Sequence, residues 1–141
     1  TLKLAQKIST IGAVQSEYSL AVRSPELGLV QRTKDTGTAL IAFQPLARSL
    51  LTDNPPNLAT RRSNPYMREN PRFQEPNFSN NLKETNKFRD LAKEFGVSAA
   101  TLAIAWLLKS SPNIIPIPST SKLENFKELI SGAFFKKFLQ K

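Results

Sequence analysis

The stretch Thr38-Ala39-Leu40-Ile41-Ala42-Phe43 decides the fold, because it is apolar on both of the faces that a strand presents. A strand of this kind must be covered on both sides, as the central strands of parallel sheets are. Residues 13–18 predict a short strand before it, and residues 114–117 predict a third strand after it. Pro116 lacks an N–H for the ladder, which is unusual in a central strand.

Helical patterns alternate with these strands, and helix-start signals open several of them. Ser24-Pro25-Glu26 predicts a helix that runs to Thr36, and Ser98 predicts the cap of a largely buried helix. Asn81 to Glu84 and Ser121 to Glu124 both match the capping-box pattern. The predicted helices are 2–8, 24–36, 82–95, 99–109 and one that begins after residue 121. This alternation predicts right-handed crossovers and an α/β fold with a parallel sheet.

The segment 45–80 differs from its surroundings. Residues 45–76 hold six of the ten prolines and show no apolar periodicity. A connection of more than about twelve to fifteen residues without secondary structure is uncommon and is often functional or mobile. The sequence therefore predicts a long structureless loop here.

Composition excludes several kinds of chemistry. The 141 residues contain no cysteine and no histidine, which excludes disulfides, thiolate or histidine metal sites and Ser-His-Asp triads, and we predict no metal site. No apolar run approaches the roughly 18 residues of a membrane span, so we expect no membrane partner and a cytoplasmic location. Because the chain begins at Thr1 and its only methionine is Met67, we expect it to be processed or cut from something longer.

The net charge of +9 comes from 20 basic and 11 acidic residues. Such an excess raises the expectation of an anionic partner, either nucleic acid or a phosphate-bearing cofactor. The basic residues are, however, scattered from Lys3 to Lys141 without a long block. We therefore interpret most of the charge as a solvated surface and predict no nucleic-acid partner.

Four segments together resemble one known family. Residues 14–20 (VQSEYSL) are similar to its VQSEYSL, and residues 41–48 (IAFQPLAR) to its (V)AYSPLGRG. Residues 96–108 resemble GVTPAQLALAWLL, and residues 115–120 (IPIPST) resemble IPIPGT. In this order the segments resemble the aldo-keto reductases, specifically the branch related to potassium-channel β subunits.

The resemblance implies a (β/α)8 TIM barrel, which needs about 250 residues. The three predicted strands then correspond to the sixth, seventh and eighth, so the chain would be the C-terminal portion of a barrel. We expect residues 1–131 to form this partial aldo-keto reductase domain. Residues 132–141 are expected to be a divergent tail, either frameshifted or a basic amphipathic segment that touches a surface.

The resemblance also implies half of an NADPH site. Gln15 would bind the nicotinamide carboxamide from a strand end, and Phe43 would stack on the nicotinamide ring. A turn amide and an ordinary core Phe are the alternatives. The loop that would follow the pyrophosphate holds Gln44, Pro45, Leu46 and Arg48. Gln44 stands where the family has Ser, and Ala47 where it has Gly.

The residues at the start of the last predicted helix would bind the adenosine end of the cofactor. The residues that match the 2′-phosphate site are Ser119, Thr120, Ser121 and Lys122. Hydroxyls, free helix N–H groups and a lysine suit an anion there, although a well-capped helix explains the same pattern. Asn125 would lie near the phosphate or adenine, and Glu128 near the adenine amino group. Leu129 replaces a family Asn.

The family transfers hydride from NADPH to an aldehyde or ketone, and a Tyr assisted by Lys, Asp and His protonates the oxygen. Those four lie in the first half of the barrel, and Tyr18 and Tyr66 fall outside that motif. We expect Tyr18 to be a packing residue, so the chain has no predicted catalytic residue. We therefore predict a fragment without activity of its own, which needs the missing barrel half or self-associates. A non-enzymatic nucleotide- or protein-binding module is the alternative.

Overall fold

A computed structural model describes residues 1–135. Its three strands are β1 (Ala13–Glu17), β2 (Ala39–Phe43) and β3 (Ile114–Pro116), and they form one parallel sheet with β2 in the centre. Gln15 pairs with Ile41, which pairs in turn with Ile115. The prediction of a central strand flanked by two others in a parallel sheet is thus confirmed, whereas cover on both faces of that strand is not found within residues 1–135.

Pro116 fits this sheet because β3 lies at its edge. Leu40 N donates to Asn113 O over 2.8 Å, and Ile117 N donates to Ala42 O over 3.0 Å. Alternate residues of a strand face the same neighbour, so the nitrogen of Pro116 faces away from β2. The missing N–H therefore removes no bond to β2.

Residues 1–135 also form seven α-helices: α1 (Leu2–Ala5), α2 (Leu29–Asp35), α3 (Leu58–Ser63), α4 (Pro65–Glu69), α5 (Asn77–Glu94), α6 (Ala99–Ser110) and α7 (Leu123–Phe134). Two short 3-10 turns cover Ser24–Leu27 and Pro71–Phe73. In this part of the chain no single helix is long and apolar enough to cross a membrane. Helices α5 and α6 are long and apolar enough only when they are taken together, and the angle between them is 91°.

Several helix starts differ from the predictions. The single helix expected over 24–36 is broken at Gly28, whose φ of 138° is outside the helical range, and Ser24 caps nothing. The helix predicted to begin near residue 82 begins at Asn77, and the Asn81 amide donates to Arg72 O rather than capping the helix. At α7 the N-cap is Lys122 without a side-chain bond, so the capping box at Ser121 is wrong. Ser98, by contrast, caps α6 as predicted.

The predicted structureless loop is also wrong, because segment 45–80 contains α3, α4 and a 3-10 turn. Asn57, Asn64 and Asn70 each cap one of these elements by accepting a backbone N–H. Pro65 and Pro71 follow two of the caps directly, in the first-turn position that Pro prefers. The segment therefore carries its own helix-start signals, which its proline content conceals.

Segment 45–80 also contributes a core. Its buried members are Ala47, Leu50, Leu51, Met67, Phe73 and Phe78, which cluster with Ala103 of α6. Arg72 ties the segment back to the sheet, since its Nη1 lies 2.9 Å from Glu17 Oε1 at the end of β1. The segment is therefore packed against the strands near their carboxyl ends.

A second core joins one face of the sheet to α6. Leu40, Ala42, Ile114 and Leu107 are buried together with Tyr18, which is 1% exposed. The Tyr18 ring contacts Trp106 edge-on, with ring centroids 5.6 Å apart, and its hydroxyl donates to Glu26 Oε1 over 3.0 Å. The packing role expected for Tyr18 is confirmed.

The opposite face of the sheet is more open. Ile115 is 48% exposed and Ile117 is 45% exposed, and Gln15 on the other outer strand is exposed too. Within residues 1–135 the outer edges of β1 and β3 pair with no further strand. The sheet thus presents one uncovered face and two free edges.

Candidate functional site

The turn that follows β2 has an unusual backbone. Four residues other than glycine have a left-handed φ: Gln44 (54°), Ala47 (48°), Arg48 (53°) and Ser49 (70°). Each such residue costs about 1–3 kcal/mol and persists only where the surroundings impose it. Strain of this kind concentrates at binding and active sites, so this turn is the first candidate.

Arg89 of α5 fixes the end of this turn. The side chain is 7% exposed, and its Nη1 donates to Leu50 O over 2.9 Å and to Thr52 O over 3.2 Å. Its Nη2 donates to Thr85 and Asn86 of the same helix. Burial lowers the pKa of Arg89, while the nearby Asp53 carboxylate opposes that change. The buried guanidinium therefore ties the strained backbone to α5.

The turn also leaves backbone donors without protein partners. Within residues 1–135 no hydrogen bond uses the N–H of Leu46, Arg48 or Ser49, whereas Ala47 N donates to Gln44 O. Successive backbone N–H groups in turns of this kind form anion-binding concavities. This backbone is therefore chemically suited to an anion.

A cavity of about 270 Å³ lies between this turn and the end of β3. We call it the Arg48 cavity, since Arg48 is the one cationic side chain that lines it among the described residues. Its lining is Gln44, Pro45, Leu46, Arg48, Ser49, Met67, Ile117, Pro118 and Ser119. The structure thus brings together the four residues predicted to follow the pyrophosphate.

Segment 45–80 positions the cation of this cavity. The guanidinium carbon of Arg48 lies 3.4 Å from the centroid of the Tyr66 ring, a cation–π contact with α4. No carboxylate within residues 1–135 pairs with Arg48, although six ion pairs form elsewhere in this part of the chain. The positive charge of Arg48 is therefore not neutralised by an ion pair in the described chain.

A second cavity of about 210 Å³ adjoins the first and shares Leu46, Ser49 and Ser119 with it. We call it the Glu128 cavity. Its remaining lining is Thr52, Asp53, Asn54, Ala100, Thr120, Asn125, Glu128 and Leu129. It brings together Ser119, Thr120, Asn125 and Glu128, which were predicted to lie at the adenosine end.

Among residues 1–135, the lining of the Glu128 cavity has two carboxylates and neither lysine nor arginine. The Asp53 carboxylate accepts the N–H of Ala99 at the start of α6, with Oδ2 at 3.2 Å. The Glu128 side chain is half-buried and forms no ion pair within residues 1–135. This cavity is therefore suited to neutral hydrogen-bond donors rather than to anions.

Four of the predicted site residues lie outside both cavities. Gln15 is in the middle of β1 rather than at its end, two residues before Glu17, and is exposed. Phe43 ends β2 and is half-buried. Ser121 and Lys122 are exposed, and Lys122 N donates to Thr120 Oγ1 over 3.2 Å. The lysine is thus beside the Glu128 cavity in sequence but not part of its lining.

The residues that continue the turn after Arg48 were not predicted to belong to the site. Ser49 lines both cavities, and Thr52, Asp53 and Asn54 line the Glu128 cavity. The available signal was the polar run Thr52-Asp53-Asn54 before a Pro pair, which is typical of a turn near a helix start. These residues were not predicted because the segment that resembles the family ends at Arg48.

A match to a protein-family model decides which family the chain belongs to. The model of the aldo/keto reductase family matches residues 2–138, nearly the whole chain. The chain belongs to the aldo/keto reductase family. The match continues past residue 131, where the likeness was expected to end.

Curated aldo-keto reductases resemble the chain along nearly its full length. Aldo-keto reductase yakc of Schizosaccharomyces pombe, whose name specifies NADP(+), is 29% identical over 131 residues, which are 91% of this chain and 38% of the relative. Probable aldo-keto reductase 1 of Glycine max is 32% identical over 146 residues, which cover 100% of this chain and 40% of the relative. The chain thus spans about two-fifths of the length of these aldo-keto reductases.

Solved structures support the fold. A thermostable aldo-keto reductase in complex with the inhibitor epalrestat superposes with a TM-score of 0.68 at 24% identity, over 96% of this chain and 39% of that one. The glycerol dehydrogenase of Gluconobacter oxydans gives 0.71 at 21% identity, over 91% and 40%. An aldo-keto reductase of Klebsiella pneumoniae in complex with NADPH gives 0.61 at 18%, over 86% and 33%. These neighbours are TIM-barrel proteins, so the three-stranded α/β unit is similar to part of such a barrel.

Proposed function

We propose that this chain is the C-terminal portion of an aldo-keto reductase that transfers hydride from NADPH to an aldehyde or ketone. The chain would supply the pyrophosphate and adenosine half of the cofactor site. The observation that carries the proposal is the pair of joined cavities at the carboxyl ends of β2 and β3. In parallel α/β sheets ligands bind outside the carboxyl ends of the strands.

The residues present fit a dinucleotide. A pyrophosphate needs cationic and N–H donors. The Arg48 cavity offers a guanidinium that forms no ion pair within residues 1–135, beside the amides of Leu46, Arg48 and Ser49. The adjoining Glu128 cavity offers amide, hydroxyl and carboxylate groups for a nucleoside. Gln15 and Phe43 lie on the same sheet and remain the residues proposed for the nicotinamide end.

In this proposal β1, β2 and β3 are the sixth, seventh and eighth barrel strands, in the branch related to potassium-channel β subunits. The free sheet edges and the open face with Ile115 and Ile117 support a partner that continues the barrel. Unpaired strand edges favour such pairing or self-association. We also propose that the protein is cytoplasmic. Family membership does not favour the alternative of a non-enzymatic binding module.

The chemistry is divided between the two halves of the barrel. Bound NADPH would supply the hydride, and this chain would bind and orient the phosphate and adenosine groups. A general acid must come within hydrogen-bond reach of the carbonyl oxygen. Tyr18 is buried between Trp106 and Glu26, so it does not meet that requirement. We therefore propose that the chain alone binds nucleotide but does not reduce carbonyls.

Binding of ADP to the 141-residue chain tests the pyrophosphate site. Replacing Arg48 by Gln should weaken ADP binding about tenfold, because a charge-assisted hydrogen bond contributes about 1.5–3 kcal/mol. The matched control is Arg62→Gln, an exposed arginine of α3 outside both cavities. Equal affinities for the two variants would refute the assignment.

Oxidation of NADPH in the presence of an aldehyde tests the division of labour. The chain alone should show no turnover, and addition of an N-terminal aldo-keto reductase portion with the first five strands should restore it. Turnover by the chain alone at typical enzymatic rates of about 1–1000 per second would overturn the proposal.

A further inference from the structure

A third cavity, of about 360 Å³, lies against α3 and α4 and shares no lining residue with the two cavities described above. Among residues 1–135, its charged lining consists of Arg61, Arg62, Arg68 and Glu75. We call it the Arg61 cavity. Its volume falls within the range of about 300–1,000 Å³ that small-molecule sites occupy. Because three guanidinium groups face one carboxylate, the cavity is suited to an anion.

Arg61 is the least exposed of these arginines, with 14% of its side chain exposed. Its Nη1 donates to Phe73 O over 2.9 Å and to Glu75 Oε1 over 3.3 Å. Its guanidinium carbon also lies 3.8 Å from the centroid of the Phe78 ring. Within residues 1–135, neither its buried Nε nor its Nη2 donates a hydrogen bond. Buried donors without a partner are rare and destabilising, so the described chain leaves this guanidinium only partly satisfied.

The carboxylate of Glu75 is held by a second group besides Arg61. Its Oε2 accepts the Ser79 hydroxyl over 2.6 Å and the Ser79 N–H over 3.2 Å, in the first turn of α5. The Ser79 hydroxyl is the main cause that lowers the pKa of Glu75, ahead of Arg61. Glu75 therefore neutralises only part of the arginine cluster, and its position shows that Arg61 accepts a carboxylate as a partner.

Arg62 and Arg68 supply the exposed charge of the cavity. Arg62 forms no ion pair within residues 1–135, and Arg68 pairs only with the adjacent Glu69, over 3.2 Å. Ion pairs between such exposed side chains are weak. The Gln74 amide donates to Met67 O over 3.3 Å and to Arg68 O, so it fixes the backbone that carries Arg68. Two cations thus stand beside Arg61 with little compensation from the described chain.

The lining also indicates the chemical class of the anion. Arginine presents N–H groups in one plane, in an arrangement that matches the two oxygens of a carboxylate. Leu58, the first residue of α3, is 52% exposed and belongs to the same lining. Small-molecule sites combine apolar walls with a few polar groups that fix the ligand. An exposed leucine in a cationic cavity therefore favours a ligand with an apolar body over a bare inorganic anion.

We infer that the Arg61 cavity binds a small organic acid with two carboxylates on an apolar body. Arg62 and Arg68 bind the carboxylates together with Arg61, and Leu58 contacts the apolar body. Two carboxylates are needed because one would leave part of the arginine charge uncompensated. This site is separate from the proposed dinucleotide site, since none of its residues lines the other two cavities.

Isophthalate and benzoate are the probes, because they share an apolar ring and differ by one carboxylate. Calorimetric titration of the 141-residue chain should give at least about tenfold tighter binding of isophthalate. Arg62→Gln and Arg68→Gln should each weaken isophthalate binding about tenfold, the effect of one charge-assisted hydrogen bond. Both residues are exposed, so both variants should keep the urea midpoint of the parent chain. Arg48→Gln should leave isophthalate affinity unchanged.

Lys34→Gln is the matched control, since it removes the same charge from an exposed position of α2 outside the cavity. It should change isophthalate affinity less than about twofold, because exposed charges are screened beyond about 8 Å. An equal loss in Lys34→Gln and Arg62→Gln would show that binding follows net charge alone, and would overturn the inference.

Two other results would overturn the inference as well. One is tighter binding of inorganic phosphate than of isophthalate. The other is no isophthalate binding at millimolar concentration, including the case in which a single-stranded oligonucleotide binds and Arg62→Gln weakens it. Loss of ADP binding with isophthalate binding retained would count against the proposed function and leave the Arg61 cavity standing.

Discussion

Gly132 is the position where a single methyl group should cost most. It lies buried on α7, where it faces α6. A Cβ at this position would meet Ile104 Cβ at 2.8 Å, Ile104 Cγ2 at 2.9 Å and the backbone oxygen of Thr101 at 2.9 Å. Neither neighbour can rotate away, because one is the branch point of a β-branched side chain and the other is backbone.

Two opposing effects set the magnitude for Gly132→Ala. Alanine in a helix interior is favoured over glycine by about 1 kcal/mol. Overpacking typically costs about 1–3 kcal/mol, and contacts below 3.0 Å with rigid atoms place this case at the upper end. We therefore expect a net loss of about 2 kcal/mol in the free energy of unfolding. Helix propensity alone predicts a gain, so the sign of the change separates the two effects.

Urea denaturation followed by the fluorescence of Trp106, the only tryptophan, measures this change. Ser131→Ala is the control, an exposed neighbour on the same helix, and it should shift stability by less than about 0.5 kcal/mol. Because α7 also carries Glu128, Gly132→Ala should weaken binding of adenosine monophosphate. A midpoint for Gly132→Ala equal to or above that of the parent chain would refute the packing argument.

Three further outcomes follow from the strained turn and the buried polar groups. Ser49→Gly should raise the free energy of unfolding in urea by about 0.5–1 kcal/mol. Glycine avoids the cost of about 1–2 kcal/mol that a left-handed φ imposes on serine, but it increases the entropy of the unfolded chain. A loss of stability would contradict this. Arg89→Met should cost about 3 kcal/mol in the same assay, because two buried carbonyls lose their donor, whereas the exposed Lys83→Met should cost less than about 0.5 kcal/mol. Burial raises the pKa of Tyr18 above its ordinary 10.0, so its stabilising effect is complete below pH 10 and is lost as pH rises through the folded value. Tyr18→Phe should therefore lose less stability than the parent chain between pH 9 and 11, and equal losses would contradict the burial argument.

The strands and two of the long helices could be predicted from the sequence. The run Thr38–Phe43 has no polar face, which predicts a central strand, and β2 does lie between β1 and β3. Ser98 stands before an almost wholly apolar segment, which predicted both the N-cap and the burial of α6. Helix starts were less predictable, because Asn81 and Ser121 match a capping box but have other bonding options. Asn81 reaches Arg72 O, and α7 starts two residues after Ser121.

The candidate site could be predicted only where it is continuous in sequence. Gln44 to Arg48 lie together in one cavity because they are one turn. Asp53 could not be placed, since its role depends on Ala99, 46 residues away. The acidic character of the Glu128 cavity was also hidden, because its two carboxylates come from different elements. The cofactor roles of all the predicted site residues remain predictions, and Gln15, Phe43, Ser121 and Lys122 also lie outside both cavities.

The segment that looked least structured supports the cation of the site. Four left-handed residues after β2 cost several kcal/mol, and isolated turns do not retain such strain. The compensation comes from the far side of segment 45–80, where Phe73 and Met67 pack on Ala47 and Leu50, and from Arg89. The same segment supplies the Tyr66 ring against which Arg48 lies. Helix α4 and the 3-10 turn Pro71–Phe73 are therefore a structural support of the proposed pyrophosphate site, because they supply Tyr66, Met67 and Phe73.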